Sequence, residues 1–171
     1  MASKPLERLK GQRVCLHGKF DYGVKERLQA MAEAQSATIV EDIDAKTNYL
    51  VIADTSGGKT IQKKVVTLNA KAASIQVISG DDFLKLIKPS TEEIIALLKA
   101  GGAPAQMSKI LESRRYHHYA QGQVEYTITG ESFKGANLGA YRLSAISFEQ
   151  CDFSNAKLAR DFGSATGCNF S

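Results

Sequence analysis

The chain has 171 residues, of which 43% are hydrophobic and 23% charged, and this composition excludes wholesale disorder and a collagen-like repeat. Its three cysteines form no Cys-x-x-Cys pair, which argues against a disulfide scaffold and against a zinc site. The net charge of +4 comes entirely from residues 1–88, because residues 89–130 and 131–171 are each neutral. This excess weakly favours partners that carry phosphate.

The N-terminal sequence MASKPLERLKGQRV has no apolar core of the kind that signal peptides carry. No apolar run in the chain approaches the roughly 18 residues that a membrane span requires. We therefore expect a cytoplasmic protein with reduced cysteines and no membrane partner.

Residues 1–89 alternate short apolar runs with helical periodicity, in the order β-α-β-β-α-β-α. The pattern predicts strands at residues 13–17, 37–40, 49–53 and 75–78, and helices over residues 23–35, from Thr60 onwards and over DDFLKLI. Ser79 or Asp81 caps the last of these helices, and Pro89 ends it. This order predicts an α/β fold with a small sheet covered by helices on both faces.

The second helix of this region presents one buried stripe, formed by Ile61, Val65, Leu68 and Ala72. The stretch from Lys59 to Ile75 is long enough for about four turns at 3.6 residues per turn. A long second helix is therefore expected.

Residues 90–130 have the pattern of a helical connector. Ser90 or Thr91 is the N-cap of the helix EEIIALLKA, which Gly101-Gly102 ends. A second helical stretch over residues 105–119 leads to a polar loop at Gln121-Gly122-Gln123.

Residues 131–171 contain an internal repeat with a period of five. Its central apolar residues are Phe133, Leu138, Leu143, Phe148, Phe153 and Leu158. Two residues before each of them stand Glu131, Ala136, Tyr141, Ile146, Cys151 and Ala156. The period breaks at Gly163, and Cys168-Asn169-Phe170 resumes it out of phase. A short fixed period predicts a solenoid, in which each unit buries its apolar residue only against stacked neighbours.

The sequences FKGANL and CDFSNAKL, with this spacing, resemble the pentapeptide-repeat family. The resemblance implies a short right-handed quadrilateral β-helix, in which the central residue and the small residue two before it point inward. Tyr141 and Ile146 depart from the family by placing bulk at the small position. A coil of four units takes about twenty residues, so at most two coils fit. We expect either a longer natural array, or an open end covered by the connector helices or by another subunit as a homo-oligomer.

Residues 8–88 resemble a BRCT domain, most closely the version at the end of bacterial DNA ligases. The matching pieces are LKGQRVCLHGKF, KTNYLVIADTSGGK and IQVISGDDFLKLI. The resemblance implies a parallel four-stranded sheet flanked by three helices, and a role in recruiting a protein or DNA partner, as in DNA repair. Ser36-Ala37 stands where many members have Gly-Gly, and Phe83 stands near the usual Trp.

In BRCT domains that bind phosphate, a Ser or Thr and a Gly at the end of the first strand act with a Lys that begins the second helix. Gly18 and Lys59 match two of these positions, and His17 replaces the hydroxyl residue. The resemblance therefore implies a phosphate or partner site formed by His17, Gly18, Lys59, Thr60, Lys63 and Lys64. The alternative is that the three lysines are the solvated face of a surface helix.

Residues 53–60, ADTSGGKT, also fit a loose Walker A pattern between a strand and a helix. Nucleotide binding is therefore a further alternative, although too little chain follows for a nucleotide-binding sheet. Residues 114–119, RRYHHY, are basic and aromatic, which suits either stacking on bases or packing against a neighbouring domain. His117 and His118 would point about 100° apart on a helix and so would not share a metal.

No arrangement of residues in the sequence has the pattern of a catalytic centre, and we expect no enzymatic activity, no metal and no cofactor. The expected protein is an interaction or scaffold protein with a BRCT-like domain over residues 1–89, a connector over 90–130 and a pentapeptide-repeat segment over 131–171 as second interaction surface. The alternative function is topoisomerase regulation by DNA mimicry, as in some pentapeptide-repeat proteins. Mimicry requires a long acidic β-helix, whereas residues 131–171 are neutral and few.

Overall fold

A computed structural model describes residues 7–21, 23–53, 58–101, 124–159 and 161–171. The chain divides into two compact units, one reaching to Lys88 and the other beginning at Pro89. No helix in the described ranges combines the length and the apolar character needed to cross a membrane.

The first unit is built around a parallel four-stranded sheet. Its elements are β1 (Arg13–His17), α1 (Val24–Ala34), β2 (Thr38–Val40), β3 (Tyr49–Ile52), α2 (Lys59–Asn69), β4 (Gln76–Ser79) and α3 (Gly80–Ile87). The strands lie in the order β2-β1-β3-β4, and every neighbouring pair is parallel. The predicted α/β class, element order and parallel four-stranded sheet are confirmed.

Helices cover both faces of this sheet, as predicted. On one face α1 and α3 are in contact, and the Phe83 ring of α3 lies 5.9 Å from the ring of Tyr49 on β3. On the other face, Ile61 and Val65 of α2 pack in one core cluster with Cys15 of β1 and Leu50 of β3. Alternate residues of a strand point to opposite faces, so each central strand contributes to both cores.

The second helix is shorter than predicted, and Ala72 does not belong to its buried stripe. The helix ends at Asn69, whose side-chain Oδ1 accepts a hydrogen bond from Ile75 N at 2.9 Å while its Nδ2 donates to Ile75 O at 3.1 Å. These two bonds turn the chain towards β4 immediately after the helix. Ala72 has a positive φ of 73° and is exposed.

The helix caps agree with the sequence. Ser79 caps α3 by accepting a hydrogen bond from Asp82 N. In the second unit, α4 (Thr91–Ala100) begins with a capping box between Ser90 and Glu93, and it ends at Gly101 with φ of 65°. The helix expected over residues 105–119, with the basic and aromatic stretch 114–119, and the loop 121–123 lie outside the described residues.

The remainder of the second unit contains a parallel three-stranded sheet of β5 (Tyr126–Thr129), β6 (Arg142–Glu149) and β7 (Asp161–Thr166), in that order. The strand β5 is not among the predicted elements, since its residues fall in the expected connector. Twenty residues separate its paired positions from those of β6, as in Tyr126↔Ile146, and the bridge Asn137↔Lys157 has the same spacing. We call each such stretch of about twenty residues a layer.

The third layer is three residues shorter than the second. Its paired positions follow those of β6 by 17 residues, as in Glu149↔Thr166, and the same spacing recurs in the bridge Asp152↔Asn169. The register shifts between Leu143 and Ser147. This shift explains why the five-residue period breaks at Gly163 and resumes out of phase.

Most central residues of the repeat are buried as predicted. The five from the first two layers that are at most 1% exposed are Phe133, Leu138, Leu143, Phe148 and Phe153. Leu158 is an exception, because 38% of its surface is exposed. Of the positions two before the centre, the bulky Tyr141 and Ile146 are buried without interrupting the layers.

Candidate functional site

The two central strands of the first unit diverge at their carboxyl ends. From β1 the chain crosses through α1 to β2 on one side, and from β3 it crosses through α2 to β4 on the other. In open parallel sheets, ligands bind in the crevice at the point where the crossing direction reverses. His17 ends β1 at this point, paired in register with Ile52 of β3, and its carbonyl accepts a hydrogen bond from Ala53 N at 3.1 Å.

The amino terminus of α2 lies beside the same strand ends. A Cβ at Gly58, the N-cap of α2, would lie 3.4 Å from Ile52 Cγ2, so the helix begins in contact with the last residue of β3. Register partners on neighbouring strands share a face, so His17 points to the face that α2 covers. The structure thus places His17 and Gly18 at the edge where Lys59 and Thr60 begin α2.

The amino terminus of α2 differs in charge from those of α3 and α4. Both α3 and α4 have a serine cap and two acidic residues in the first turn. In contrast, no described side chain caps α2, its first turn has no acidic residue, and its first residue is Lys59. A helix amino terminus carries a partial positive charge, so this arrangement leaves a positive edge that suits an anion.

The two other predicted lysines have different surroundings. Lys63 is exposed one turn after Lys59 on α2. The Nζ of Lys64 lies 4.0 Å from Oδ1 of Asp42, which follows β2, and both side chains are largely exposed. The Asp42 carboxylate offsets part of the charge of Lys64, so Lys59 is the better candidate for anion contact.

Cys15 lies on the same face of the sheet but is not a nucleophile at neutral pH. Its thiol is buried and donates a weak hydrogen bond to Glu41 O at 3.5 Å. Burial, reinforced by the nearby Asp42 carboxylate, raises the pKa of this thiol. Cys15 therefore acts as a small apolar core residue.

The Walker-like stretch is described only in part. Residues 54–57, the centre of the expected phosphate loop, lie outside the described residues, whereas Ala53 and residues 58–60 are described. Within the described ranges, no group of three or more His, Cys, Asp or Glu side chains is placed to hold a metal ion.

Two clefts of the first unit were not predicted. One, of about 130 Å³, lies at the carboxyl edge and is lined by Phe20, Val24 and Leu84 among others. The other, of about 780 Å³, runs between α1 and the edge strand β2. The sequence signal for the larger cleft is the polar stripe Lys25, Gln29 and Glu33, whose four-residue spacing places all three on one side of α1.

Lys59, Thr60, His17 and Gly18 are thus brought to one edge of the sheet by two strand ends and one helix start, and Lys64 is drawn towards a carboxylate. Neither a protein-family model nor a curated protein sequence matches the chain.

Proposed function

We propose that the chain is a non-enzymatic interaction protein whose first unit, a BRCT-like domain, binds a phosphate group of its partner at the carboxyl edge of the sheet. The observation that carries this proposal is the amino terminus of α2, which begins with Lys59 and has neither an acidic first turn nor a described side-chain cap. It lies beside the strand end formed by His17 and Gly18. The resemblance of the sequence to BRCT domains supports the same edge independently.

Three kinds of donor serve a phosphate group in this arrangement. The first-turn N–H groups of α2 point towards the helix amino terminus, where they donate to phosphate oxygens. The Lys59 ammonium adds a charged hydrogen bond. His17 donates through a ring N–H in one neutral tautomer or when it is protonated, in place of the hydroxyl group found in the resembling family.

The full chain, titrated with a 5′-phosphorylated DNA duplex and with phosphoserine peptides, tests the proposal at moderate ionic strength. Unphosphorylated versions of both ligands measure the contribution of the phosphate. A charged hydrogen bond contributes about 1.5–3 kcal/mol, so Lys59→Ala is expected to weaken binding at least about tenfold.

Lys71→Ala is the matched control, because Lys71 is an exposed lysine just beyond the other end of α2. If Lys59→Ala and Lys71→Ala weaken binding equally, the attraction is a general effect of net charge and the site is wrong. Absence of binding by all phosphorylated ligands would overturn the proposal.

We further propose that the layers of the second unit form a right-handed quadrilateral β-helix of the pentapeptide-repeat type, which serves as a second interaction surface. The twenty-residue spacing of the first two layers supports this fold, since it corresponds to four five-residue sides. Positive φ angles recur at equivalent corners, at Gly130, Gln150 and Gly167 and again at Gly135 and Asn155. An experimental structure of the chain tests both the four sides and the handedness.

A further inference from the structure

The strand β7 is an unprotected sheet edge. It pairs with β6 on one side, and within the described part of the chain no strand lies on its other side. Exposed edge strands usually carry charges, prolines or bulges that prevent pairing with another chain. Residues 163–171, GSATGCNFS, contain neither a charged residue nor a proline.

The apolar core of the second unit reaches the surface at the same edge. The rings of Phe133, Phe153 and Phe170 stack in succession, with centroids 5.3 Å and 5.4 Å apart and interplanar angles of 11° and 6°. Phe153 covers one face of Phe170, and 48% of the Phe170 surface remains exposed. A further ring or apolar side chain would continue this stack.

The opposite end of the stack is covered by α4. The Lys99 ammonium lies 5.8 Å from the centroid of the Phe133 ring, and it forms an ion pair of 2.6 Å with Glu131. Phe153 occupies one face of the Phe133 ring, so Lys99 occupies the other. This end is therefore closed to a second molecule, and two copies of the chain cannot stack head to tail through these two ends.

We propose that the β7 edge pairs with the β7 edge of a second copy of this chain, giving a twofold symmetric dimer in which the two Phe170 side chains meet. A second copy fits because an uncharged strand meets itself without juxtaposing like charges. Since α4 covers the other end of the stack, association stops at two copies rather than extending into a filament. The inference depends on the described contacts of the second unit and not on phosphate binding by the first.

Light scattering of the full chain after size-exclusion chromatography, over a range of concentrations, measures the association. We expect a mass approaching twice the 18.5 kDa of the chain at high concentration. Thr166→Lys places like charges near one another across the dimer, and it is expected to weaken dimerisation about tenfold or more. Thr129→Lys is the matched control, since Thr129 is exposed in the first layer and Glu149 pairs with both positions.

A mixing experiment distinguishes a charge effect from a folding defect. Thr166→Lys and Thr166→Glu are each expected to be monomeric at concentrations where the parent chain dimerises, and an equimolar mixture is expected to recover the dimer. A monomer at every concentration of the parent chain would overturn the proposal. Equal weakening by Thr129→Lys, or failure of the mixture to associate, would also place the contact elsewhere or exclude it.

Discussion

Phe170 stacks on Phe153 with ring centroids 5.4 Å apart and nearly parallel planes, although only 17 residues separate them in the chain. The equivalent pair one layer earlier, Phe133 and Phe153, is separated by 20 residues and has almost the same geometry. The third layer thus keeps the aromatic stack in place by losing residues elsewhere. The register shift between β6 and β7 is where part of this shortening occurs.

Gly163 is required by the shortened layer, and replacing it with alanine is expected to destabilise the second unit. An added Cβ would lie 2.4 Å from Ile146 O and 2.8 Å from Ser144 O, both rigid backbone atoms of β6. Overpacking of this kind costs about 1–3 kcal/mol. Urea unfolding followed by circular dichroism measures the loss.

Gly139→Ala is the control for that substitution. Its Cβ would approach the Lys157 side chain at 3.0 Å, but the end of a flexible lysine moves aside at little cost. We expect a change within about 0.5 kcal/mol, as at other surface positions. Equal stability of Gly163→Ala and the parent chain would contradict the close approach of β7 to β6.

Phe153 is expected to be the most costly ring to remove from the stack. It lies 5.1 Å from Phe148 edge to face and between the parallel rings of Phe133 and Phe170. It is 1% exposed, so Phe153→Ala is expected to cost about 3–5 kcal/mol of unfolding free energy. Phe170→Ala is expected to cost clearly less, because nearly half of that side chain is already in water; the opposite order in chemical denaturation would show that the third ring carries the stack.

Gln35 is a buried polar residue that connects three parts of the first unit. Its Nε2 donates to Ile87 O at 2.8 Å, and its own carbonyl accepts from Leu9 N at 3.1 Å. Gln35→Leu leaves the Ile87 carbonyl without this donor, which is expected to cost about 1–3 kcal/mol. Gln29→Leu, on the outer side of α1, is the control and is expected to change the unfolding free energy little; equal effects would mean that the buried hydrogen bond contributes nothing.

Asp44 is expected to contribute to acid sensitivity of the first unit. The Lys46 backbone N–H holds the pKa of the Asp44 carboxyl below its ordinary value, with further lowering by Thr47 and Arg13. A carboxyl with a lowered pKa in the folded state stabilises that state above its ordinary pKa of 3.8 and loses this contribution as the pH falls through the folded-state pKa. Thermal unfolding between pH 6 and about pH 2 is therefore expected to show a smaller decrease in stability for Asp44→Asn than for the parent chain, and an identical decrease would exclude this role.

Short-range patterns predicted much of the fold. Ser79, Ser90 and Gly101 mark helix ends because a cap needs only hydrogen bonds within one turn of the chain. The predicted length of α2 was wrong, because the spacing of apolar residues continues to Ala72 while the Asn69 side chain turns the chain at Ile75. The strand β5 was missed because four residues in a polar stretch become a strand only through pairing with residues twenty positions later.

The candidate site was predicted in part. Resemblance to a known family identified His17, Gly18 and Lys59, but sequence spacing says nothing of their mutual position, since more than forty residues separate Gly18 from Lys59. Pairing of β1 with β3, and the contact of Gly58 with Ile52, bring them to one edge. The ion pair of Lys64 with Asp42 joins elements distant in sequence, which composition does not reveal.

The initial charge of +4 remains a property of the first unit, and the tertiary structure adds where part of it lies, at the uncapped start of α2. By itself, the sequence determined which residues of each element face the core, because apolar spacing of two, 3.6 or five acts along a single segment. Only the tertiary structure decided which layers are full and which is short, because the stacking of Phe170 on Phe153 depends on where the chain returns and not on how many residues it uses to do so.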